Sequence, residues 1–240
     1  MRTNGSRSYR DYEAHDSYRS ARTSYRASDY GDSEESLARY NLIIGAVLLY
    51  GFFVNYLMVK YCTQYFVDMN PVLMIVLYFV LAIAGTIISA RSDRPIISFL
   101  GYNMVVVPLG MVLSVCLVGQ SAVSILNAAI VTTLVTLVMM LLGWFFPKAF
   151  LSMGRALGIA LIAVIVIELV CGLIFKLYMP TFWDVLVALI FCGYIGYDWA
   201  KAQQQPHTLD NAIDACVGLY LDIVNLFIRV VSVTSGRRDD

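Results

Sequence analysis

Residues 211–231 read NAIDACVGLYLDIVNLFIRVV, an apolar stretch of helical length that is interrupted by small or polar side chains at regular intervals. The interrupting residues follow one another at spacings of four and three: Asn211, Ala215, Gly218, Asp222, Asn225 and Arg229. Such spacings keep side chains on one face of an α-helix. Because lipid does not tolerate a face of this kind, we expect this helix to be central in a bundle, with its polar seam turned toward other helices or a wet cavity.

The rest of the chain has the composition of a polytopic membrane protein. Of its 240 residues, 59% are hydrophobic and 14% are charged, which lies outside the range of soluble domains. Seven stretches are apolar enough, and long enough to cross roughly 30 Å of hydrocarbon as helices, at residues 41–62, 70–90, 96–119, 122–146, 151–176, 181–200 and 211–233. We therefore predict an all-α membrane protein with seven transmembrane helices in a domain at 39–234, the last helix being central.

The two ends and the cysteines give weaker signals. Residues 1–38 are rich in Ser, Tyr and Arg and nearly free of aliphatic side chains, which predicts a disordered tail, and residues 235–240 form a short second tail. The five cysteines are scattered without a CxxC pair, so we expect packing residues rather than a zinc site or a disulfide framework. The formal net charge of zero gives no sign of a nucleic-acid partner.

The basic residues of the short loops predict an orientation. With the amino terminus inside, the inner loops carry most of the Lys and Arg, and the outer loops carry only Lys60 and Lys176. The positive-inside rule then favours a cytoplasmic amino terminus. Arg237 and Arg238 argue against it, because an odd number of spans would place them outside.

Asp198 and Asp222 are the leading candidates for a functional site, because each lies in a stretch that is otherwise apolar enough to span a bilayer. A short linker makes their two helices antiparallel neighbours, so contact between the carboxyls is expected. Two carboxyls in contact at low dielectric cannot both ionise cheaply and hold one proton jointly. Protonated, the pair ties the helices together; deprotonated, it separates or recruits a hard cation such as calcium. The alternative for Asp198 is a helix end in headgroup water.

Two further charged residues have open roles. Glu168 interrupts the apolar run of the fifth span, where it either lines the same pathway or hydrogen-bonds to a neighbouring helix. Arg91, at the inner end of the second span, is a candidate third member of the site that compensates an ionised aspartate in one state and releases it in another.

The sequences Ile195-Gly196-Tyr197-Asp198 and LYLDIVNLF at 219–227 resemble the Bax inhibitor-1 family, the transmembrane Bax-inhibitor-motif proteins. The resemblance implies a pH-sensitive calcium leak in which Asp198 and Asp222 form the pH sensor and ion pathway, with calcium bound there only in transit. It also implies an arginine latch, Arg91, with Arg94 as its substitute. We expect a bacterial member in the plasma membrane, without cofactor or structural metal, whose partners are the lipid bilayer, calcium ions, protons and other membrane proteins.

Two other classes of protein are weighed against the leak. An intramembrane aspartyl protease also places Tyr-Asp on one helix, as in Tyr197-Asp198, but its second motif requires Gly-x-Gly-Asp where this chain has Leu219-Tyr220-Leu221-Asp222. We therefore expect no enzyme. A non-transporting regulator that binds other membrane proteins, such as a modulator of proteolysis or stress, remains the alternative.

Overall fold

The computed structural model describes residues 35–175 and 181–235, and all regular secondary structure in these ranges is helical. Seven long helices and a short one follow in the order α1 (Leu37–Tyr61), α2 (Thr63–Val67), α3 (Pro71–Arg91), α4 (Pro95–Cys116), α5 (Ala122–Phe145), α6 (Pro147–Leu169), α7 (Thr181–Ala202) and α8 (Leu209–Thr234). A π-helical turn, Val170–Ile174, extends α6. Most of the amino-terminal tail, and the carboxyl-terminal one beyond Ser235, lie outside the described residues.

The helix ends follow local sequence signals. Pro71, Pro95 and Pro147 each occupy the first helical position, where the missing backbone N–H costs nothing. Side-chain caps are present at α1, where Ser36 accepts from the Arg39 amide, and at α8, where Thr208 accepts from the Asn211 amide. Each of these prolines therefore marks the start of a helix.

All seven long helices are long and apolar enough to cross a membrane, as the sequence predicts. Their outer surface is covered with large apolar side chains, among them Leu42 and Ile159, each 71% exposed. In water such a surface would be a severe liability, whereas in hydrocarbon it carries no penalty. The all-α membrane fold with seven spans is confirmed.

Successive spans alternate in direction, which defines two faces of the bundle. We call the face at which α1 and α8 begin the N-terminal face, and the opposite one, at which α8 ends, the C-terminal face. The helices α3, α5 and α7 end at the N-terminal face, and α4 and α6 begin there.

The last helix is central. It contacts α1, α3, α4, α5 and α7, and its buried side chains are distributed along its length. The helix α4 shares the centre. It packs against α1, α3 and α8, and a larger share of its residues is buried than in α8. The sequence predicted the central position of α8 but not that of α4, because α4 has no polar seam to set it apart from a helix that faces lipid.

Glycines permit the closest helix crossings. A Cβ on either Gly85 of α3 or Gly101 of α4 would overlap the backbone carbonyl oxygen of the other glycine. In the same way, Gly143 of α5 lies against the backbone of Gly196 of α7. In a membrane, where the lipid is as apolar as the helix surface, such close backbone contact is a main source of helix association.

We expect Gly85→Ala to destabilise the fold by about 1–3 kcal/mol, because the added methyl group meets backbone that cannot rotate away. Gly45→Ala in α1 is the matched control, since nothing lies within 4 Å of a Cβ there. Thermal unfolding in detergent measures both variants. Equal melting temperatures would show that the α3–α4 crossing is looser than described.

Candidate functional site

The structure brings Asp198 and Asp222 together. Asp198 is in the last turns of α7 and Asp222 near the middle of α8, and the Asp198 carboxylate lies against Gly218, one turn before Asp222, so that the two carboxyls are neighbours. Asp222 is only 6% exposed, and its Oδ2 atom receives no hydrogen bond from any donor in the described part of the chain. Two carboxylates have no proton to donate, so such a contact is favourable only when the pair holds a proton.

Gly218 leaves the space that the Asp198 carboxylate occupies. A Cβ at Gly218 would overlap the Asp198 carboxylate, so only glycine leaves room for that group against α8. Gly218 is four residues before Asp222, which puts the two on one face of the helix. The polar seam therefore presents a gap and an acid to α7, and the acid of α7 occupies the gap.

A cavity of about 440 Å³ reaches Asp198 from the N-terminal face. It lies between the ends of α3 and α7 and the start of α8, and its lining includes Asp198, Asp214, Lys201, Asn211 and Gly218. Asp198 therefore borders a space large enough for several water molecules. The alternative for Asp198, a helix end in headgroup water, stays a prediction.

Two acids that the sequence analysis did not single out lie beside this cavity. Ser89 of α3 donates a hydrogen bond to Asp214, and Ser98 of α4 donates one of 2.7 Å to the buried Asp210. Asp210, Asp214, Gly218 and Asp222 are spaced by four residues, so the helical periodicity was the signal that could have found them. Together they make the N-terminal end of α8 strongly acidic.

Lys201 is the basic residue in the lining of this cavity. It follows Asp198 by three residues on α7, lines the same cavity and acts electrostatically on Asp198. Arg91 is the last residue of α3, is exposed, and forms no ion pair with Asp198 or Asp222 in this conformation. Arg94 is exposed at the N-cap of α4. The latch role of either arginine stays a prediction.

The two asparagines of the seam serve different ends of α8. Asn211 lines the cavity and donates from Nδ2 to the Pro206 carbonyl at 2.8 Å. Asn225 donates from Nδ2 to the Leu221 carbonyl at 2.7 Å and lies within hydrogen-bonding reach of Tyr78 on α3. Asn225 is therefore satisfied within the bundle one turn beyond Asp222.

A second charged cluster lies toward the C-terminal face, and it explains Glu168. Nη2 of Arg229 is 2.6 Å from Oε1 of Glu168, and Nη1 is 2.9 Å from Oδ1 of Asp184. Glu168 and Asp184 accept further hydrogen bonds, from Trp183 at 3.0 Å and from Ser232 at 2.6 Å. We call Glu168, Asp184 and Arg229 the outer triad. It joins α6, α7 and α8 through two ion pairs and two further hydrogen bonds.

Of the two roles left open for Glu168, the structure shows the contact with a neighbouring helix: Glu168 lies one residue from the end of α6 and pairs with Arg229 of α8. A place in an ion pathway stays a prediction. By its spacing, Arg229 belongs to the polar seam, but it lies toward the C-terminal end of α8, away from the aspartate pair. Asp184 was missed, although a lone arginine within a span requires an acid on a neighbouring helix.

Among the residues that the structure describes, no group of three or more His, Cys, Asp or Glu side chains is arranged to hold a metal ion. A pair of carboxylates beside a wet cavity offers too few ligands for a resident calcium site, which takes six to eight oxygens. What the arrangement can do chemically is hold a proton, or contribute two of the ligands of a partly hydrated cation.

Comparison with known proteins gives one family. The family model described as "Inhibitor of apoptosis-promoting Bax1" matches residues 37–239. Protein LIFEGUARD 4 of Arabidopsis thaliana is 31% identical over 146 residues, 57% of this chain and 57% of its own length. LIFEGUARD 3 of the same plant is 52% identical over 48 residues, 20% of this chain and 19% of its own. An uncharacterized protein of Helicobacter pylori is 39% identical over 87 residues, 34% of this chain and 35% of its own. The matches thus span little more than half of these relatives, or less.

We expect Arg229→Leu to lower the free energy of unfolding by about 3 kcal/mol, because it leaves two acids without their cation in a poorly hydrated site. Arg39→Gln is the matched control. It removes an ion pair with Glu35 in which the arginine side chain is 67% exposed, a loss of about 1 kcal/mol or less. Thermal melts in detergent compare the two. If both variants melt at the same temperature, the outer triad does not stabilise the bundle.

Proposed function

This chain belongs to the Bax inhibitor-1 family, and on that premise we propose that it is a pH-sensitive calcium leak of a membrane, gated by a proton that Asp198 and Asp222 hold jointly. The observation that carries the proposal is the contact between a buried carboxyl without a donor and the carboxyl that borders a cavity. A membrane helix retains such a group at a cost of several kcal/mol, which argues for a use.

The proton decides whether the pair attracts or repels. With the proton in place, one carboxyl donates a hydrogen bond to the other, which links α7 to α8. Without it, two negative charges face each other at low dielectric, which favours either separation of the helices or uptake of a cation from the cavity. Protons and calcium compete for the same oxygens, so acid conditions disfavour cation binding and higher pH favours it.

The charge of the cavity at the N-terminal face also supports the proposal. Asp214 and Asp198 line the cavity with two acids against one base, Lys201. A mouth of this charge raises the local concentration of cations and excludes anions. Calcium is here the transported ion, and no resident cofactor is proposed.

We assign the N-terminal face to the cytoplasm, and the membrane to a bacterial plasma membrane. At that face the described helices begin or end with Arg39, Arg91, Arg94, Lys148 and Lys201, whereas Lys60 lies at the other. This asymmetry is the one that the positive-inside rule requires. The aspartate pair then takes its cations and protons from the cytoplasmic side.

The second candidate is a non-transporting regulator of other membrane proteins. The description of the family, as an inhibitor of another protein, favours it. An aspartyl protease is disfavoured because leucines and a tyrosine precede Asp222, where substrate backbone would need glycines to approach. Calcium flux from liposomes separates the two main candidates, since a regulator passes no calcium at any pH.

We expect purified protein in liposomes to release calcium at a rate that depends on pH, and Asp222→Asn to abolish that dependence, because an amide keeps the shape but does not titrate. Asp68→Asn, an exposed acid between α2 and α3, is the matched control and should keep the wild-type pH profile. A wild-type profile in Asp222→Asn would remove the basis of the proposal.

Calcium binding gives a second test with a defined sign. We expect affinity for calcium to fall as pH falls, because protons occupy the carboxyls that the cation requires. Both Asp198→Asn and Asp222→Asn should weaken binding at high pH and flatten its pH dependence in isothermal titration calorimetry. Binding that is equally tight at acid and alkaline pH would contradict the competition.

A further inference from the structure

Two buried threonines of α5 have hydroxyls without a partner. Thr132 is 3% exposed and Thr136 is 8% exposed, and neither Oγ1 atom hydrogen-bonds to any group in residues 35–175 or 181–235. Threonine within a helix ordinarily donates to the carbonyl one turn earlier, as Thr86 of α3 does to Ala82 at 2.8 Å. A buried hydroxyl left unsatisfied destabilises the fold. Two of them, one turn apart, therefore call for an explanation.

Both threonines lie on the face of α5 that turns into the bundle. The buried residues of this helix are Ala128, Thr132, Thr136 and Gly143, whose spacings of four, four and seven define one face. Through Gly143 this face meets Gly196 of α7, and α5 packs mainly against α7 and α8. The neighbouring Thr133 is exposed on the lipid side. The two unsatisfied hydroxyls thus belong to the interior and not to the lipid surface.

The helix registers place these hydroxyls between the aspartate pair and the outer triad. Gly196 is two residues from Asp198, and α5 and α7 run in the same direction. Measured from Gly143, Thr136 and Thr132 lie about 10 and 16 Å toward the C-terminal face, at 1.5 Å per helical residue. On α7, Asp184 lies about 18 Å from Gly196 in the same direction. Both threonines therefore fall at depths between the two charged clusters.

Cavities occur at both ends of the interface between α5, α7 and α8. The one at the N-terminal face reaches Asp198, and a second, of about 190 Å³, is lined by Asp184, Arg229 and Ser232 toward the C-terminal face. Between them, Asp222 contributes an oxygen without a donor and the threonines contribute two hydroxyls without partners. Side chains one turn apart on a helix are about 5–6 Å apart, a distance that one water molecule bridges with two ordinary hydrogen bonds.

We propose that Thr132 and Thr136 line the continuation of the cation route, from Asp222 along the seam between α5, α7 and α8 to the outer triad, and that their hydroxyls hold the water that hydrates a passing cation. The inference rests on the proposed leak function and extends it to the half of the membrane that the aspartate pair does not reach. It assigns the threonines a positioning role, since they orient water and do not titrate.

The test replaces hydroxyl by methyl without changing volume. Thr132→Val/Thr136→Val should reduce the pH-dependent calcium flux in liposomes by about tenfold for each hydroxyl removed, the factor that corresponds to one lost hydrogen bond. The melting temperature should not fall, because neither hydroxyl bonds to a protein group in the described residues. Thr132→Ser/Thr136→Ser keeps the hydroxyls and should restore the flux. Thr133→Val is the matched control on the lipid side and should change nothing.

A second measurement observes the water directly. In protein labelled at threonine methyl groups and reconstituted in bilayers, magnetisation transfer from water should reach Thr132 and Thr136 faster than Thr133, although Thr133 is the exposed one. Dry methyls at both positions would overturn the inference whatever the flux.

The outcomes separate the two proposals. A wild-type flux that keeps its pH dependence in the double valine variant overturns the threonine route and leaves the leak standing. Absence of calcium flux from the wild-type protein overturns both.

Discussion

The contact between Asp198 and Asp222 constrains how the two last helices can lie. A carboxyl buried near the middle of α8 must be offset by something within a few ångströms, and the neighbouring polar group is a second carboxyl. Only a proton or a cation makes that contact favourable. Gly218 and the close packing of α7 on α8 follow from the need to bring the two groups together. The packing of α7 on α8, and the response to protons that we propose, therefore depend on one interaction.

The opposite end of α8 solves a similar problem in another way. Arg229 pairs with two acids from two helices, and each acid accepts a further hydrogen bond from a protein donor. Within the described residues, no ion pair joins a base to Asp198 or Asp222. In a bilayer, where water does not compensate charged groups, the first cluster holds α6, α7 and α8 in register. The two clusters lie about two turns apart along α8, and the second is the one to which the proposed function assigns the response to pH.

Much of this could be predicted from the sequence, because the signals are local or periodic. Span length fixed the number of helices, and the spacing of the polar seam placed α8 at the centre with Asp222 facing inward. Contact with Asp198 followed from the short linker. The partners of Glu168 could not be predicted, since pairing across three helices depends on their rotation about their axes. The central position of α4 was invisible for another reason: its buried face is as apolar as a face toward lipid. Lys201 was overlooked in favour of Arg91, although its spacing from Asp198 is a single helical turn.

The central claim, that the pair holds one proton jointly, is tested most directly by infrared difference spectroscopy of the reconstituted protein. Between acid and alkaline pH, the account predicts that the carbonyl stretching band of a protonated carboxylic acid disappears as the pair ionises. It predicts further that this band is lost from the difference spectrum in both Asp198→Asn and Asp222→Asn, because either change removes the shared site. A band that persists unchanged in both variants would contradict the account.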